Sequence, residues 1–572
     1  TVFGAGGGAG IQVDLNAIPA VMVERIDSLS VGGAPTYGSD AIAGVNNIIL
    51  RENFEGAEVT LGYGSTTKGD NARYNGSALF GSGFADGRGH VVIAAELDDS
   101  EGVNALQRDF YRNGYSLQTN PTAANIARFQ PGRVPGSDGR VDGSIPFNTG
   151  PADGIPDQVF IRDQRVSTMT FGGLILPADI GVTRPFQRNG SGQLNGFGPD
   201  NRLWHFNAAG DLTAFDQGIS YPGGNASGGD GLDLYEALPL IADLRRRSVY
   251  ATGRFEFTDA VRGFFELSRY EARAHETLDQ NVYNAAAFGA AQADGSGATS
   301  GTLLFRADNP FLSAGSRRVL AENGITSFQL SRSSRDLSMN NASTDTGLTR
   351  LVAGVAGHLE AGGRGFSWEA SVTHGRGDFD YLGTGLIQQN FINALNVTTD
   401  AGGTIICDPN APGTLADPHC RPLNLFGENQ ASADALAYVS TPTQARAKTR
   451  QTVFNASVSG GLFDLPGGPF SFAAGLEHRG EEGAFTPDEN QRLGQGRSRP
   501  VQRGSGEYHT NEVFAEVLAP LFDPDRALAG LHRLDLTAKV RRVENSVAGG
   551  FTAFTYGLQY EPFAGLQLRG NK

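Results

Sequence analysis

From about residue 55 onward, apolar and polar residues alternate over short segments that follow one another in pairs. Ala57, Val59, Leu61 and Tyr63 occupy every second position of one such segment, and hydrophilic residues or glycine stand between them. Alternation with a period of two predicts β-strands with one apolar and one polar face. About 12 or 13 strands of this kind can be placed, which predicts an all-β chain.

The connections between the strands are short at one end and long at the other. The tight connections are Phe84–Arg88, Thr258–Ala260, Ala361–Gly363, Asp464–Gly468 and Glu561–Gly565. The long connections cover about 100–245, 275–347, 379–447 and 482–507. Soluble domains rarely carry so many long loops, whereas a transmembrane antiparallel β-barrel has short turns at one end and long loops at the other. The apolar faces would then meet lipid, and closure of the sheet would satisfy the backbone polar groups.

Composition agrees with this fold class and excludes others. The 79 glycines and 35 phenylalanines, against 3 methionines and 2 tryptophans, favour turns and strands over helices. The sequence holds no run of about 18 apolar residues, which excludes a helical membrane span. A formal net charge of -15 disfavours nucleic acid as a partner.

A different pattern precedes the alternation. An apolar strand at Val23–Leu29 leads into a Gly-rich turn, a small-residue segment at Ala41–Val45 and a second apolar strand at Ile48–Leu50. The two-faced alternation begins only after Arg51. A compact globular piece is therefore predicted before the first barrel strand.

The residues of this piece carry a family resemblance. The sequence G-G-A-P-T-Y-G-S-D-A-I-A-G-V at 32–45, followed by N-I-I-L-R at 47–51, resembles the end of the plug domain of TonB-dependent outer-membrane receptors. The resemblance implies the C-terminal part of a plug at 1–53 and the N-terminal part of the barrel at 54–572. Barrels of that family have 22 strands, so about nine strands and most of the plug are expected to lie outside this chain. Later segments, including P-L-N-L-F-G at 422–427, resemble the large-loop receptors of alphaproteobacteria.

The resemblance also implies a function. Such receptors sit in the outer membrane of Gram-negative bacteria and actively take up a scarce nutrient: siderophore-bound iron, cobalamin or an oligosaccharide. Their partners are the small nutrient ligand, outer-membrane lipid and the TonB complex, whose contact segment is expected outside this chain. The resemblance implies neither an enzymatic activity nor a bound cofactor.

Two other functions remain open. A passive porin or a structural surface barrel would share the strands, although neither needs a globular piece before the first strand. Aromatic loop residues allow two interpretations as well, since they could stack on sugars or simply pack within the loops. These residues are Trp204, Phe206, Tyr235 and Tyr283.

The plug motif has a structural role in this interpretation, with glycines for tight turns and Pro35 fixing a turn. Its residues are Arg25, Gly32, Gly33, Pro35, Tyr37, Gly38, Asp40, Gly44, Asn47 and Arg51. The ligand-binding residues cannot be assigned from the sequence.

One acidic residue type recurs on the polar strand faces: Glu96, Glu266, Glu369, Glu477 and Glu516. A charge that faced lipid at mid-strand would cost several kcal/mol, so these carboxylates are predicted to face the lumen. Either they only solvate the lumen, or some of them pair with the plug residues Arg25 and Arg51 and seat the plug.

The sequence holds only weak motifs for metal binding or catalysis. Cys407 and Cys420 stand in a loop rich in Gly, Pro and Asp, and a local disulfide is the favoured interpretation. Asp138 and Asp142 are spaced as in a calcium loop, but Arg140 occupies a ligand position, and no metal site is predicted. No G-x-S-x-G elbow is present in the sequence.

Overall fold

The computed structural model describes residues 15–29, 45–177, 196–221, 225–277, 282–284, 303–337, 341–496, 500–524 and 528–572. Its main feature is one antiparallel sheet of 13 strands that pair in chain order. The predicted all-β, antiparallel fold class is confirmed.

A short hairpin precedes the large sheet. Strands β1 (Val23–Leu29) and β2 (Val45–Leu50) pair antiparallel, with Ile26 opposite Ile48. Two 3-10 turns, Leu15–Ala17 and Ala20–Met22, lead into β1. Most of the predicted glycine motif, residues 30–44, lies outside the described residues.

The 13 strands of the large sheet follow the hairpin in chain order. They are β3 (Gly56–Gly64), β4 (Arg73–Phe84), β5 (Gly89–Ser100), β6 (Asp243–Thr258), β7 (Val261–Thr277), β8 (Asn341–Ala361), β9 (Arg364–Leu386), β10 (Ser440–Leu465), β11 (Gly468–Pro487), β12 (Gly504–Phe522), β13 (Arg533–Asn545), β14 (Gly549–Phe563) and β15 (Leu566–Asn571).

The connections alternate between short turns and long loops. Gly362 and Gly363 join β8 to β9 with φ angles of 59° and 74°. Because both central residues of such a hairpin turn need positive φ, a Gly-Gly pair fits this position. Long loops at the opposite end join β5 to β6, β7 to β8 and β9 to β10.

Several strands extend beyond the limits that the alternation indicated. β9 has 23 residues and β10 has 26, so the loop between them spans only 387–439. The distal part of β10, residues 440–451, has no large apolar side chain on either face, so a pattern of apolar residues cannot detect it. The distal part of β9 holds Phe379, Tyr381 and Leu382, which lie on both faces and do not alternate.

The apolar face of the sheet points outward. Large apolar side chains along it are between 44% and 67% exposed, and we call them the apolar belt: Ile93, Val249, Leu267, Leu351, Val372, Phe454, Leu476, Val513, Val540 and Phe554. Water-soluble proteins do not expose a continuous apolar surface of this extent. The alternate apolar residues thus suit contact with lipid.

The three longest loops are folded and share strands and a core. A six-stranded sheet joins Leu174–Pro177, Trp204–Phe206 and Leu212–Ala214 of the first loop to Val282–Asn284, Leu304–Arg306 and Ser327–Ser333 of the second. The main loop core unites Phe206 from the first loop, Phe328 from the second and Phe426 from the third. We call the described parts of loops 101–242, 278–340 and 387–439 the loop cap.

Small elements complete the loops. The helices are Asp109–Arg112, Ala123–Phe129, Ala314–Glu322, Gln388–Leu395, Ala433–Val439 and Glu489–Leu493, with 3-10 turns at Ala105–Gln107 and Leu234–Ala237. The remaining short strands are Val103–Asn104, Ser116–Thr119, Gln158–Ile161, Gln164–Val166, Ile219–Ser220, Asn225–Ser227, Pro239–Ile241, Val397–Thr399 and Ile405–Cys407. Within the described ranges, no helix has both the length and the apolar character that a membrane crossing requires.

Candidate functional site: the inner wall and the loop cap

The N-terminal piece packs against the inner face of the sheet. Met22 is fully buried, and its cluster contains Leu79 of β4, Val92 of β5 and Tyr250 of β6. On β5 and β6 these residues alternate with Ile93 and Val249 of the exposed apolar belt. The inner face of the first wall strands therefore holds the segment that precedes them.

Polar contacts fix the same piece. The Ala20 N–H donates to Glu96 Oε2 at 2.8 Å. Arg246 donates through Nη1 to Asn16 Oδ1 at 2.7 Å and through Nη2 to Asp98 Oδ2 at 2.6 Å. One of the five predicted glutamates, Glu96, thus contacts the N-terminal piece directly.

Glu266 lies on the inner face but bonds within the wall. Its Oε2 accepts from the Tyr250 hydroxyl at 2.8 Å and from Arg350 Nη1 at 2.5 Å. Both donors come from the neighbouring strands β6 and β8.

Two other predicted glutamates join ion pairs of the inner wall. Glu477 pairs with Arg479 at 2.9 Å and with Arg541 at 3.1 Å. Glu516 pairs with Lys539 at 2.9 Å. Arg541 has a side chain that is only 2% exposed, so removal of one of its carboxylate partners would leave a poorly solvated charge.

Glu369 differs from the other four. It is exposed on the inner face of β9 and makes no hydrogen bond or ion pair with any described residue.

The suggested pairing of the plug arginines with these five glutamates is not what the structure shows. Arg25 pairs with Glu24 at 3.2 Å and with Asp27 at 3.4 Å, both on its own strand. Arg51 does reach the wall, but it pairs with Glu58 of β3 at 3.1 Å. Wall arginines lie closer to the inner glutamates because neighbouring strands are only about 4.8 Å apart.

The remaining motif residues divide into two groups. Asn47 lies in β2 opposite Asp27 of β1. The others lie outside the described residues, so their structural role stays a prediction: Gly32, Gly33, Pro35, Tyr37, Gly38, Asp40 and Gly44.

Two arginines hold the three cap loops together. Arg332 of the second loop donates to Phe171 O in the first at 3.1 Å and to Gly427 O in the third at 3.0 Å, and it pairs with Asp336 at 2.9 Å. Arg335 pairs with Glu236 of the first loop at 2.7 Å and lies 3.8 Å from Glu428 of the third. The Arg332 side chain is 2% exposed, which makes it the buried tie of the cap.

The aromatic loop residues mostly serve packing. Trp204 is 7% exposed and Phe206 is 1% exposed, and both belong to the main loop core. Tyr235 donates its hydroxyl to Gln164 Oε1 at 3.1 Å, and partial burial raises the pKa of this hydroxyl. The side chain of Tyr283 lies outside the described residues.

The two cysteines and the apparent calcium loop have structural roles. Cys407 and Cys420 form a disulfide in the third loop. Arg140 donates through Nε to Asp138 Oδ2 at 2.8 Å, and both side chains are fully buried. Arg140 thus supplies the positive charge beside Asp138 that a calcium ion would otherwise supply. Among the described residues no group of three or more His, Cys, Asp or Glu is placed to hold a metal ion.

Comparison with known proteins bears on this arrangement. No family model matches the chain. It is 35% identical over 109 residues to the vitamin B12 transporter BtuB of Vibrio vulnificus, a match that covers 18% of this chain and 17% of that protein. The resemblance to TonB-dependent receptors is confirmed.

Solved receptor structures are also similar. The ferric enterobactin receptor PfeA of Pseudomonas aeruginosa has a TM-score of 0.44 and 11% identity, over 98% of this chain and 50% of that one. The siderophore receptor PirA of Acinetobacter baumannii has a TM-score of 0.41 and 9% identity, over 98% and 48%. This chain therefore spans about half the length of these two receptor structures.

Sequence reasoning missed several residues that position the N-terminal piece. Asp98 and Arg246 form the polar contact to Asn16, and Met22 supplies the buried apolar anchor. The sequence does give a signal for Asp98. It follows Glu96 by two positions, and residues two positions apart on a strand share a face. Arg246 gives no such signal, because its partners lie 148 and 230 residues away.

Proposed function

We propose that this chain is the plug-end and first-barrel portion of a TonB-dependent outer-membrane transporter. In this proposal residues 1–53 are the end of the plug, and the barrel begins at residue 54. The observation that carries the proposal is the burial of Met22 against the inner wall beneath a lipid-facing surface. A passive pore gains nothing from a segment that occupies its lumen.

The transported molecule is a scarce nutrient, and we favour a siderophore or cobalamin over an oligosaccharide. This preference rests on the names of the similar proteins, which are a vitamin B12 transporter and receptors for ferric siderophores. The loop cap would receive the ligand at the cell surface. TonB, energised by the proton-motive force across the inner membrane, would then act on the plug.

Uptake by a deletion strain tests the proposal. A strain that lacks the gene should fail to grow when one nutrient is limiting, and the complete gene should restore growth only if TonB is present. Restored growth without TonB would contradict active uptake and favour the passive porin.

Electrical conductance separates the same two functions in vitro. The complete protein in a planar bilayer should be nearly silent, because a seated plug blocks the lumen. A steady open-channel current from the unmodified protein would contradict the plugged arrangement.

A further inference from the structure

Two histidines lie side by side on the outer face of the wall, just beyond the apolar belt. His478 follows Leu476 of the belt by two positions on β11, and His509 precedes Val513 of the belt by four positions on β12. Since residues an even number of positions apart on a strand share a face, both imidazoles point outward. The centroids of the two rings are 6.1 Å apart, with an angle of 33° between the ring planes.

The strand register brings the two rings together. His509 is opposite Gly480, which follows His478 by two positions on β11. A Cβ atom added to Gly480 would meet nothing within 4 Å. The two imidazoles therefore stand diagonally across the strand pair with no side chain between them at residue 480. Both are exposed, so they can rotate without displacing a packed neighbour.

The separation of the rings suits one shared metal ion. A bond of about 2.1 Å from the ion to an imidazole nitrogen, plus about 1.1 Å from that nitrogen to the ring centroid, places each centroid about 3.2 Å from the ion. Two rings that bind one ion therefore have centroids no more than about 6.4 Å apart. The observed 6.1 Å lies inside this limit. Rotation of the exposed rings can reduce it to the value of about 5.2 Å that a tetrahedral site requires.

A neighbouring amide orients His478. The Nδ1 atom of His478 lies 2.8 Å from Oδ1 of Asn511, which is directly opposite on β12. Because an amide oxygen can only accept, Nδ1 carries the proton in this hydrogen bond, and the lone pair of the neutral ring is on Nε2. Metal-binding histidines commonly donate their second ring N–H to an oxygen in this way, which fixes both the ring and its tautomer.

Two carboxylates lie further along the same face. Glu507 precedes His509 by two positions on β12 and is directly opposite Glu482 of β11. Carboxylates that face one another repel, and Arg450 pairs with Glu482 at 2.8 Å. Glu507 is exposed and forms no ion pair with any residue that the structure describes. The negative charge beside the two imidazoles therefore favours a cation at this part of the wall.

We propose that His478 and His509 bind a metal ion, Zn²⁺ or Cu²⁺, on the outer face of the wall. Imidazole nitrogens suit these ions, whereas Mg²⁺ and Ca²⁺ prefer oxygen ligands. Two imidazoles leave the other coordination positions to water or to a donor atom of another molecule, so the site is an open one. Cu²⁺ should bind more tightly than Zn²⁺, as it does at nitrogen sites in general. The site does not depend on the proposed transport of a nutrient.

Titration of the complete, metal-free protein in detergent tests the site, with Zn²⁺ alone as the probe and calorimetry as the measurement. The double variant His478→Asn and His509→Asn should bind one Zn²⁺ ion fewer than the unmodified protein, because both ligands are lost. The matched control is His275→Asn and His374→Asn, which removes two exposed outer-face histidines from β7 and β9, two strands that β8 separates. The control should bind Zn²⁺ like the unmodified protein. Unchanged binding by the double variant would overturn the site, and so would equal losses in the two variants.

Electron paramagnetic resonance with one equivalent of Cu²⁺ identifies the ligands. The spectrum of the unmodified protein and of the control should show coupling to two imidazole nitrogens, and this coupling should be absent from the double variant. Coupling to a single nitrogen in the unmodified protein would overturn a site shared by the two histidines.

Single substitutions separate metal binding from folding. His509→Asp keeps a zinc ligand and should retain part of the Zn²⁺ binding, whereas the similarly shaped His509→Asn should lose it. Equal Zn²⁺ binding by these two variants would overturn the assignment of His509 as a ligand. Asn511→Ala should weaken Zn²⁺ binding by about 10- to 100-fold, because the hydrogen bond that orients His478 is lost. Urea unfolding without metal should be alike for the two His509 variants, so that their difference in Zn²⁺ binding reports the ligand.

Discussion

At the scale of single residues, the odd or even position of a residue along a strand decides which face its side chain occupies. That face decides what a carboxylate contacts. Asp98 and Asp99 are neighbours on β5, but they face opposite sides of the wall. Asp98 is 8% exposed and binds Arg73 at 2.5 Å and Arg246 at 2.6 Å. Asp99 points outward, with a side chain 44% exposed, and lies 3.2 Å from Arg245.

This difference predicts unequal effects of the same substitution. Asp98→Asn should lower the free energy of unfolding by about 1–3 kcal/mol, because a buried carboxylate with two charged partners is lost. Asp99→Asn, the matched control, should cost less than about 1 kcal/mol. Urea unfolding of the purified protein measures both. A smaller loss for Asp98→Asn than for Asp99→Asn would contradict the inner-face assignment.

The pKa of Asp153 in the first loop predicts a pH dependence. Hydrogen bonds from the backbone N–H groups of Thr149 and Ile155 lower this pKa to about 2 from 3.8. Because the folded pKa is depressed, the stabilisation is fully present above about pH 4 and is lost as the pH falls towards 2.

Hydrogen exchange over residues 149–155 checks this dependence. Asp153→Asn should increase exchange at pH 6, when rates are corrected for intrinsic pH effects, and the difference from the unmodified protein should vanish near pH 2. A difference that persists near pH 2 would mean that the carboxylate charge is not the cause.

At the scale of elements, strands were more predictable than loops. Alternate apolar residues such as Phe454 and Leu476 indicate their strands locally, because a side chain's face depends only on its position along the strand. The distal half of β10 is polar on both faces and gives no such pattern. The folded character of the long loops also escaped prediction, since Gly, Pro, Asn and Asp dominate their composition.

The disulfide gives a prediction for the third loop. Replacing Cys407 and Cys420 by serine removes a cross-link between residues 13 positions apart. The loop should lose about 3 kcal/mol of local stability, because its unfolded form gains chain entropy. Limited proteolysis should then cut within 387–439 while the wall strands stay intact. Equal resistance of the two proteins would show that packing alone holds the loop.

At the scale of the whole molecule, the cap is the part that only distant contacts create. Arg332→Met should leave the buried carboxylate of Asp336 without its cationic partner and should weaken the cap by about 3–5 kcal/mol. The matched control in the same loop is Arg318→Met, since the Arg318 side chain is 75% exposed. Hydrogen exchange should rise in all three loops for Arg332→Met and should stay unchanged for Arg318→Met. A rise confined to the second loop would contradict a shared cap.

The sequence by itself determined the two-faced wall, the ends at which its turns and loops lie, and the family resemblance of the segment before it. Each of these is a local property, written in residues two positions apart or in one continuous motif. Only the tertiary structure decided that the loops fold together and which cations satisfy the inner glutamates. The rings of Phe206 and Phe426 pack at a tilt with their centroids 4.8 Å apart, although 220 positions separate the two residues. Contacts of this kind depend on how the whole chain packs, and no local pattern encodes them.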